Sequence, residues 1–429
     1  MKILVKLAST TNIHWLIAMT ATAASLTFAF VLYPAMAGSY HMDLDPDWHG
    51  PLGYGIWKLH IFSYYPSVEP ASARGPLYPA LIAGLLALTN GWWPYSIQLA
   101  QCIIFGLLCV LVFWITKTLW NKPLAVLASG LCAVHPFLIW YTSRIWIETM
   151  MMFLFTALIG SIVFLKQRPT PWRAMLLGVI IGMSVLTKSV YGPFLLLTPL
   201  LLLVPLGRRI GPSLALIVFL SGIIVAAPWV IRNGRVTGTF APVVGGGGFA
   251  LHQGNDFVQD FSIAPFSISK LFSLSIARMR AEPVTLPSNI SGLERKNKLD
   301  AALGRSAMEK LKRSPGFLLK KIGYNAVLFW TLSETPGKSL LISILQLPLV
   351  GLFVAFLFSR RYRSNGDIIL ICTTLIVCFY FAHLLTIAVA RYSVVLIPAM
   401  LILAVGVFEA NVPDAPSRVS LEKSGSKST

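Results

Sequence analysis

Residues 14–36, HWLIAMTATAASLTFAFVLYPAM, contain no Asp, Glu, Lys or Arg, and AGSYHMDLDPDWHG follows at 37–50. The apolar run exceeds the roughly 20 residues that cross a bilayer core of about 30 Å. Lys2 and Lys6 before it and Ala35-Met36-Ala37 at its end imitate a cleaved signal. A signal's apolar region has roughly 7–15 residues, so the longer run reads as a retained first span. Three carboxylates, Asp43, Asp45 and Asp47, crowd together just beyond it, in a chain with 16 acidic residues against 35 basic ones.

The rest of the 429 residues is of the same kind: 56% hydrophobic, 12% charged, with a mean hydropathy of +0.72. Soluble domains carry about 25% charged residues. The apolar runs are continuous and do not alternate, which excludes an outer-membrane β-barrel. The chain reads as an all-α polytopic membrane protein with about ten transmembrane helices, at 14–36, 95–116, 123–142, 147–165, 174–189, 191–206, 211–231, 339–358, 367–387 and 392–410. Lys117 and Lys122, then Lys166, Arg168 and Arg173, then Arg208 and Arg209, then Arg360, Arg361 and Arg363 fall in alternate short loops, on the side of Lys2 and Lys6. Basic residues collect in cytoplasmic loops, so both termini are expected in the cytoplasm of a multi-pass plasma membrane, the inner membrane of a bacterium. The net charge of +19 reflects these loops and anionic lipid or substrate, and implies no nucleic-acid partner. Residues 1–410 form one membrane domain, and 411–429 read as a disordered cytoplasmic tail. The five cysteines (102, 109, 132, 372 and 378) sit in apolar runs without metal-ligand spacing.

Two large segments, 37–94 and 232–338, then face outward, and with them every acidic residue except Asp367, Glu409, Asp414 and Glu422. Any chemistry should face the periplasm or exterior. PLYPALIAGLLALTN (76–90) is too short to span and reads as an interfacial helix. GGGG (245–248) reads as a flexible turn, although its amides can approach an anion. Residues 290–317 read as an amphipathic helix with Leu293, Leu299, Leu303, Met308 and Leu311 on its apolar side and Ser291 as cap. Asn289-Ile290-Ser291 is a glycosylation sequon by pattern alone.

Short outer loops should be poor in Lys and Arg, yet three carry one beside a polar or aromatic partner. They are YTSRIWIE with Arg144 and Glu148, LTKSVYG with Lys188 and Tyr191, and HLLTIAVARYS with His383, Arg391 and Tyr392. Ionisable groups at span ends face a cavity or the bundle interior. Converging cations make an anion site, and phosphate is the natural ligand. The alternatives are cations that snorkel to headgroups and a structural Arg144–Glu148 pair. Asp45-Pro46-Asp47 can supply a general base for an acceptor hydroxyl or hold a divalent cation; a solvated acidic loop is the plain alternative. His41 and His49 flank the cluster and could join such a metal site, loop histidines being the plain alternative, and His135 lies within a span. No GxSxG or GxxxxGK[ST] motif is present.

Taken in order, these segments resemble the GT-C fold glycosyltransferases that use polyprenyl-phosphate sugars. The likeness is nearest to bacterial family 39-like enzymes, which include protein O-mannosyltransferase relatives and transferases acting on lipid A or lipopolysaccharide core. The resemblance rests on Asp45 and Asp47 after the first span and on Ala73-Arg74-Gly75-Pro76-Leu77-Tyr78-Pro79 before the interfacial helix. It also rests on Pro136, Tyr141 and Glu148, on Gly178, Gly182, Leu186, Thr187 and Lys188, on Pro228-Trp229-Val230-Ile231-Arg232-Asn233, and on His383, Arg391 and Tyr392. It covers about residues 14–410. The sequence departs from the family pattern in DPDWHG, in RGP where RPP is usual, and in the large soluble C-terminal domain of some relatives, which it lacks.

The resemblance implies transfer of a sugar from a polyprenyl-phosphate donor to a hydroxyl of a glycolipid, polysaccharide or protein, with inversion. It implies Asp47 as base, with Asp45 as rival, and Lys188, Arg232 and Arg391 as phosphate ligands. Arg74, Tyr78, Arg144, Glu148, His383 and Tyr392 join them as substrate-binding candidates. No cofactor is required by these motifs, although Asp45 and Asp47 leave a divalent cation open. A transporter or flippase for a lipid-linked sugar or organic anion is the alternative.

Overall fold

The computed structural model describes residues 10–37, 44–281, 292–359 and 366–411. Lys2, Lys6, His41, Asp43, Glu282, the 289–291 sequon with its Ser291 cap, the arginines at 360, 361 and 363, and the tail from 412 lie outside these residues. In chain order, α1 (Ile13–Met36) is followed by α2 (His49–Leu59) and α3 (Leu77–Leu88) in the first large segment. Then come α4 (Tyr95–Leu119), α5 (Lys122–Ala133), α6 (Pro136–Thr142), α7 (Glu148–Gln167), α8 (Pro171–Thr187), α9 (Ser189–Val204) and α10 (Ile210–Thr237). The second segment holds α11 (Gly247–Asp260), α12 (Ile268–Ala281), α13 (Gly292–Arg313) and α14 (Pro315–Thr331). The chain closes with α15 (Pro336–Phe358), α16 (Gly366–Leu385) and α17 (Ala390–Glu409).

The protein is an all-helical, multi-pass membrane protein. Each apolar run in the sequence forms helix, but the runs are not equal. Among the described residues, seven helices (α1, α4, α7, α10, α15, α16 and α17) are long and apolar enough to cross a membrane. The run at 123–142 is broken into α5 and α6, which meet at 55°. Pro136 has no N–H to continue the ladder, and its ring drives His135 to ψ 113°. α8 and α9 are shorter apolar helices, so among the described residues seven of the ten expected spans, or eight with the bent pair, have the length and apolarity of a full span. α3, with 12 residues, reaches about 18 Å and does not cross.

α8 lies along α10 at glycine contacts. A Cβ on Gly178 would stand 2.3 Å from the Val218 carbonyl oxygen, and one on Gly182 2.7 Å from that of Gly222. Small residues let helix backbones approach where lipid supplies no hydrophobic drive. The glycines of the 178–188 motif therefore pack the bundle and set Lys188, just past α8, at the end carrying the two large segments. Beneath that end Phe155, Tyr191, Phe194 and Phe379 form a buried aromatic cluster with centroids 5.6–6.3 Å apart.

Two expectations for the second segment change. α10 continues to Thr237, so Arg232 and Asn233 are helical rather than the start of a loop. α13 forms as expected, but it buries Leu303, Ala307 and Leu311, while Leu299 and Met308 are exposed. Its docking is fixed by polar as well as apolar contact: Asp300 accepts from the amides of Gly248 and Phe249 in the first turn of α11.

Candidate active site

The two visible aspartates of the acidic cluster are used differently. The Asp45 carboxylate accepts from the backbone amides of His49 (2.9 Å) and Gly50 (2.6 Å), which caps α2. A Cβ at Gly50 would come within 2.8 Å of Asp45 Oδ2, so the glycine in WHG is what lets the carboxylate reach the helix end. Burial pushes the Asp45 carboxyl up to about 6 despite those amides. Asp47 is instead ion-paired to Arg391 Nη2. Although burial opposes it, the guanidinium charge and hydrogen bond hold the Asp47 carboxyl well below the usual range.

Arg391, at the start of α17, also bonds Glu148 through Nε (2.5 Å) and Nη2 (3.1 Å). Glu148, the first residue of α7, is fully buried. One guanidinium thus joins the acidic loop, α7 and α17. Trp146 lies between two such groups, with Arg391 and Arg144 at 4.1 and 3.9 Å from its ring centroid. The Arg144–Glu148 pair considered from sequence is not formed: Arg144 pairs with Glu334 at 3.2 Å, and Glu148 with Arg391.

A cavity of about 410 Å³ opens beside this cluster. Asp47, His49, Arg74, Lys188, His383, Arg391 and Tyr392 all line it. Lys188 Nζ stands 3.7 Å over the Tyr392 ring, which meets the His383 ring at 4.7 Å with a 40° tilt. The His383 ring Nδ1 is 2.9 Å from the Phe379 carbonyl oxygen. Burial lowers the Lys188 ammonium to about 8, the charge of Glu148 resisting. Among the described residues, neither Lys188 nor Arg74 has a carboxylate within ion-pair distance. Ile147, Val190, Pro193, Ala382 and Ile387 supply an apolar wall.

The remaining sequence candidates stand away from the cavity lining. Tyr78 is buried and donates to Gln101 Oε1 at 2.9 Å; Gln101 in turn donates to the carbonyls of Thr142 and Arg144, fixing the turn before Glu148. Arg232 donates to the Ala71 carbonyl (2.6 Å) and Asn233 Oδ1 (2.9 Å) and stacks over Trp229 at 4.7 Å. It ties the end of α10 to the first large segment.

Two features of the cavity were not assigned to it from sequence. His49 is 2% exposed, its Nδ1 has no hydrogen-bond partner, and burial lowers it to about 3, so it is a neutral imidazole at the cavity. Its place at the first turn of a helix capped by Asp45 was the available signal. Gly245, Gly246 and Gly247 also line the wall, with φ of 93° and 85° at the first two, a left-handed backbone that favours glycine. The quadruple glycine was that signal.

The described residues are not arranged as a metal centre. Asp45 is spent on helix amides, Asp47 on Arg391, and no group of three His, Cys, Asp or Glu side chains is arranged for a metal among the described residues.

Against solved structures, the chain is similar to the oligosaccharyltransferase of Archaeoglobus fulgidus in its apo form, with a TM-score of 0.54 and 13% identity over 98% of this chain. The archaeal oligosaccharyltransferase AglB of the same organism, in complex with an inhibitory peptide and a dolichol-phosphate, gives a TM-score of 0.54 at 10% identity over 96% of this chain. The chain covers 53% of each, so it spans about half the length of the enzymes it matches. The fold is the GT-C fold that these oligosaccharyltransferases have. No family model matches the chain, and no curated protein matches it in sequence.

Proposed function

We propose that the protein is a glycosyltransferase that moves a sugar from a polyprenyl-phosphate donor to a hydroxyl acceptor at the periplasmic or outer face of a bacterial inner membrane. The acceptor is a glycolipid, polysaccharide or protein. One observation carries the reading: a single cavity unites two cations, Lys188 and Arg74, that have no carboxylate partner among the described residues, with a carboxylate fixed by Arg391. That one structure of like fold is a complex with a dolichol-phosphate supports the choice of donor. The alternate placement of basic loops supports the choice of membrane face.

The donor chain lies against the apolar wall with its phosphate at Lys188 and Arg74. The acceptor oxygen bonds to the anomeric carbon as the bond from that carbon to the phosphate oxygen breaks. The electron pair leaves with the phosphate, where the two cations stabilise the growing charge. The acceptor proton passes to Asp47. Asp47 is a weak base before reaction, but a hydroxyl bonding to an oxocarbenium-like carbon becomes strongly acidic, so a permanently ionised acceptor suffices. Single attack inverts the anomeric centre. Neutral His49 is placed to hydrogen-bond the sugar.

Asp47→Asn keeps the shape and removes the proton acceptor. Transfer should fall by at least about two orders of magnitude, the lower range for loss of a general base. Full transfer by a folded, membrane-inserted Asp47→Asn protein would remove Asp47 from the mechanism.

A further inference from the structure

A second pocket, of about 150 Å³, adjoins the cavity. The two share Ala73, Gly245 and Gly246 as a common wall. The partition is thin: Gly245 and Gly246 carry no side chains, and a Cβ at Gly245 would meet Asn297 Oδ1 at 3.1 Å and Ala73 Cβ at 3.7 Å. Ser72 and Val244 pin the two strands of chain together, Ser72 Oγ and the Val244 amide each bonding the other residue's backbone at 2.9 Å.

The two spaces present different groups. The cavity joins its cations to an apolar wall long enough for a lipid; the second pocket offers Tyr64, Glu69, Lys296 and Asn297 beside an apolar lining that includes Pro70 and Leu293. Lys296 on α13 pairs with Glu69 of the first large segment at 3.4 Å, so both charges are balanced and the pocket has no net demand for an ion. Tyr64 is half-buried and offers a ring face, and its phenol lies within reach of the charges of Arg74, Asp47 and Asp45. The second pocket therefore lies close to the reacting end of the cavity, across the shared wall of Ala73, Gly245 and Gly246.

Resting on the glycosyltransferase reading, we infer that this pocket is an acceptor subsite that binds a sugar ring, through hydrogen bonds to Glu69, Lys296 and Asn297 and contact with the Tyr64 ring, while an adjacent hydroxyl is presented to Asp47. The acceptor is thereby a saccharide, and it approaches from water on the side opposite the donor lipid.

The test compares wild type, Asn297→Ala, Glu69→Gln and Lys296→Ala, using labelled polyprenyl-phosphate monosaccharides as donor and extracted envelope glycolipids or a Ser/Thr-rich peptide as acceptor. Lys296 is an exposed residue, so Lys296→Ala is expected to fold, which thermal denaturation in detergent checks. Each variant should raise the half-saturating glycolipid concentration by about tenfold, the worth of one to two hydrogen bonds, and leave that of the donor within about twofold. An unchanged acceptor requirement in all three, an equal rise for the donor, or transfer to the peptide alone would overturn the subsite while leaving the transferase reading in place. No transfer by wild type to any acceptor would bring down both.

Discussion

Two arginines from motifs of similar weight in the sequence end in opposite surroundings. Arg232 gives its hydrogen bonds to the Ala71 carbonyl and Asn233 and stacks on Trp229. Its partners are structural, and it closes the joint between α10 and the first large segment. Arg391 gives its bonds to two carboxylates, Asp47 and Glu148, at the edge of a cavity that also holds Lys188 and Arg74. A guanidinium satisfied by carbonyls is finished; one that balances acids beside open space sets the charge of a site. The neighbours, not the motif, separate a hinge pin from a site residue.

The largest effect should come from Arg391→Ala. It strands the fully buried Glu148 without its cation, which costs about 3–5 kcal/mol. Thermal denaturation in detergent should show this, and the double variant with Glu148→Gln should lose less than the sum of the two single changes. Additive losses would mean that the pair is not coupled.

Lys188→Ala should weaken donor binding by about 10- to 100-fold, the range for a hydrogen bond to a charged group. With its ammonium lowered to about 8, Lys188 is charged below that pH and neutral above it. kcat/KM for the donor should therefore fall as pH rises through about 8, and Lys188→Arg should abolish that limb, since arginine stays charged. A pH profile identical in Lys188→Arg would show that another group titrates. For stability the sign is opposite: the unfolded chain keeps this lysine protonated up to about 10.4, so the penalty for burying its charge is relieved between pH 8 and that value.

Arg232→Ala should lower stability by about 1–3 kcal/mol through its unsatisfied partners and leave the donor's half-saturating concentration unchanged. A donor effect as large as that of Lys188→Ala would erase the contrast between the two arginines. The smallest change is expected from Asp45→Ala, which removes a helix cap worth about 0.5–2 kcal/mol and spares most of the transfer lost in Asp47→Asn.

Much of this was legible in the sequence. Hydropathy gave the membrane class and every apolar helix, because a span must satisfy its own backbone. It did not give the break at Pro136 in length or angle, nor the shortness of α8 and α9, which depend on packing between helices. Lys188, His383, Arg391 and Tyr392 stood out because charge at a span end needs a reason. Their partners did not: Glu148 is 243 residues from Arg391, and no local pattern ties them. The separation of Asp45 from Asp47 turned on Gly50 and the helix whose first turn holds it. His49 and the glycine wall at 245–247 looked like loop residues until the fold put them beside the acids.

The most direct measurement reconstitutes the purified protein in lipid vesicles with labelled polyprenyl-phosphate monosaccharides and extracted envelope glycolipids, and follows the label. The account predicts that label moves onto an acceptor. It predicts that the movement depends on Asp47 and not on Asp45. Label that crosses the bilayer still attached to its lipid, with no transfer from any donor, would contradict it and identify a carrier of lipid-linked sugars.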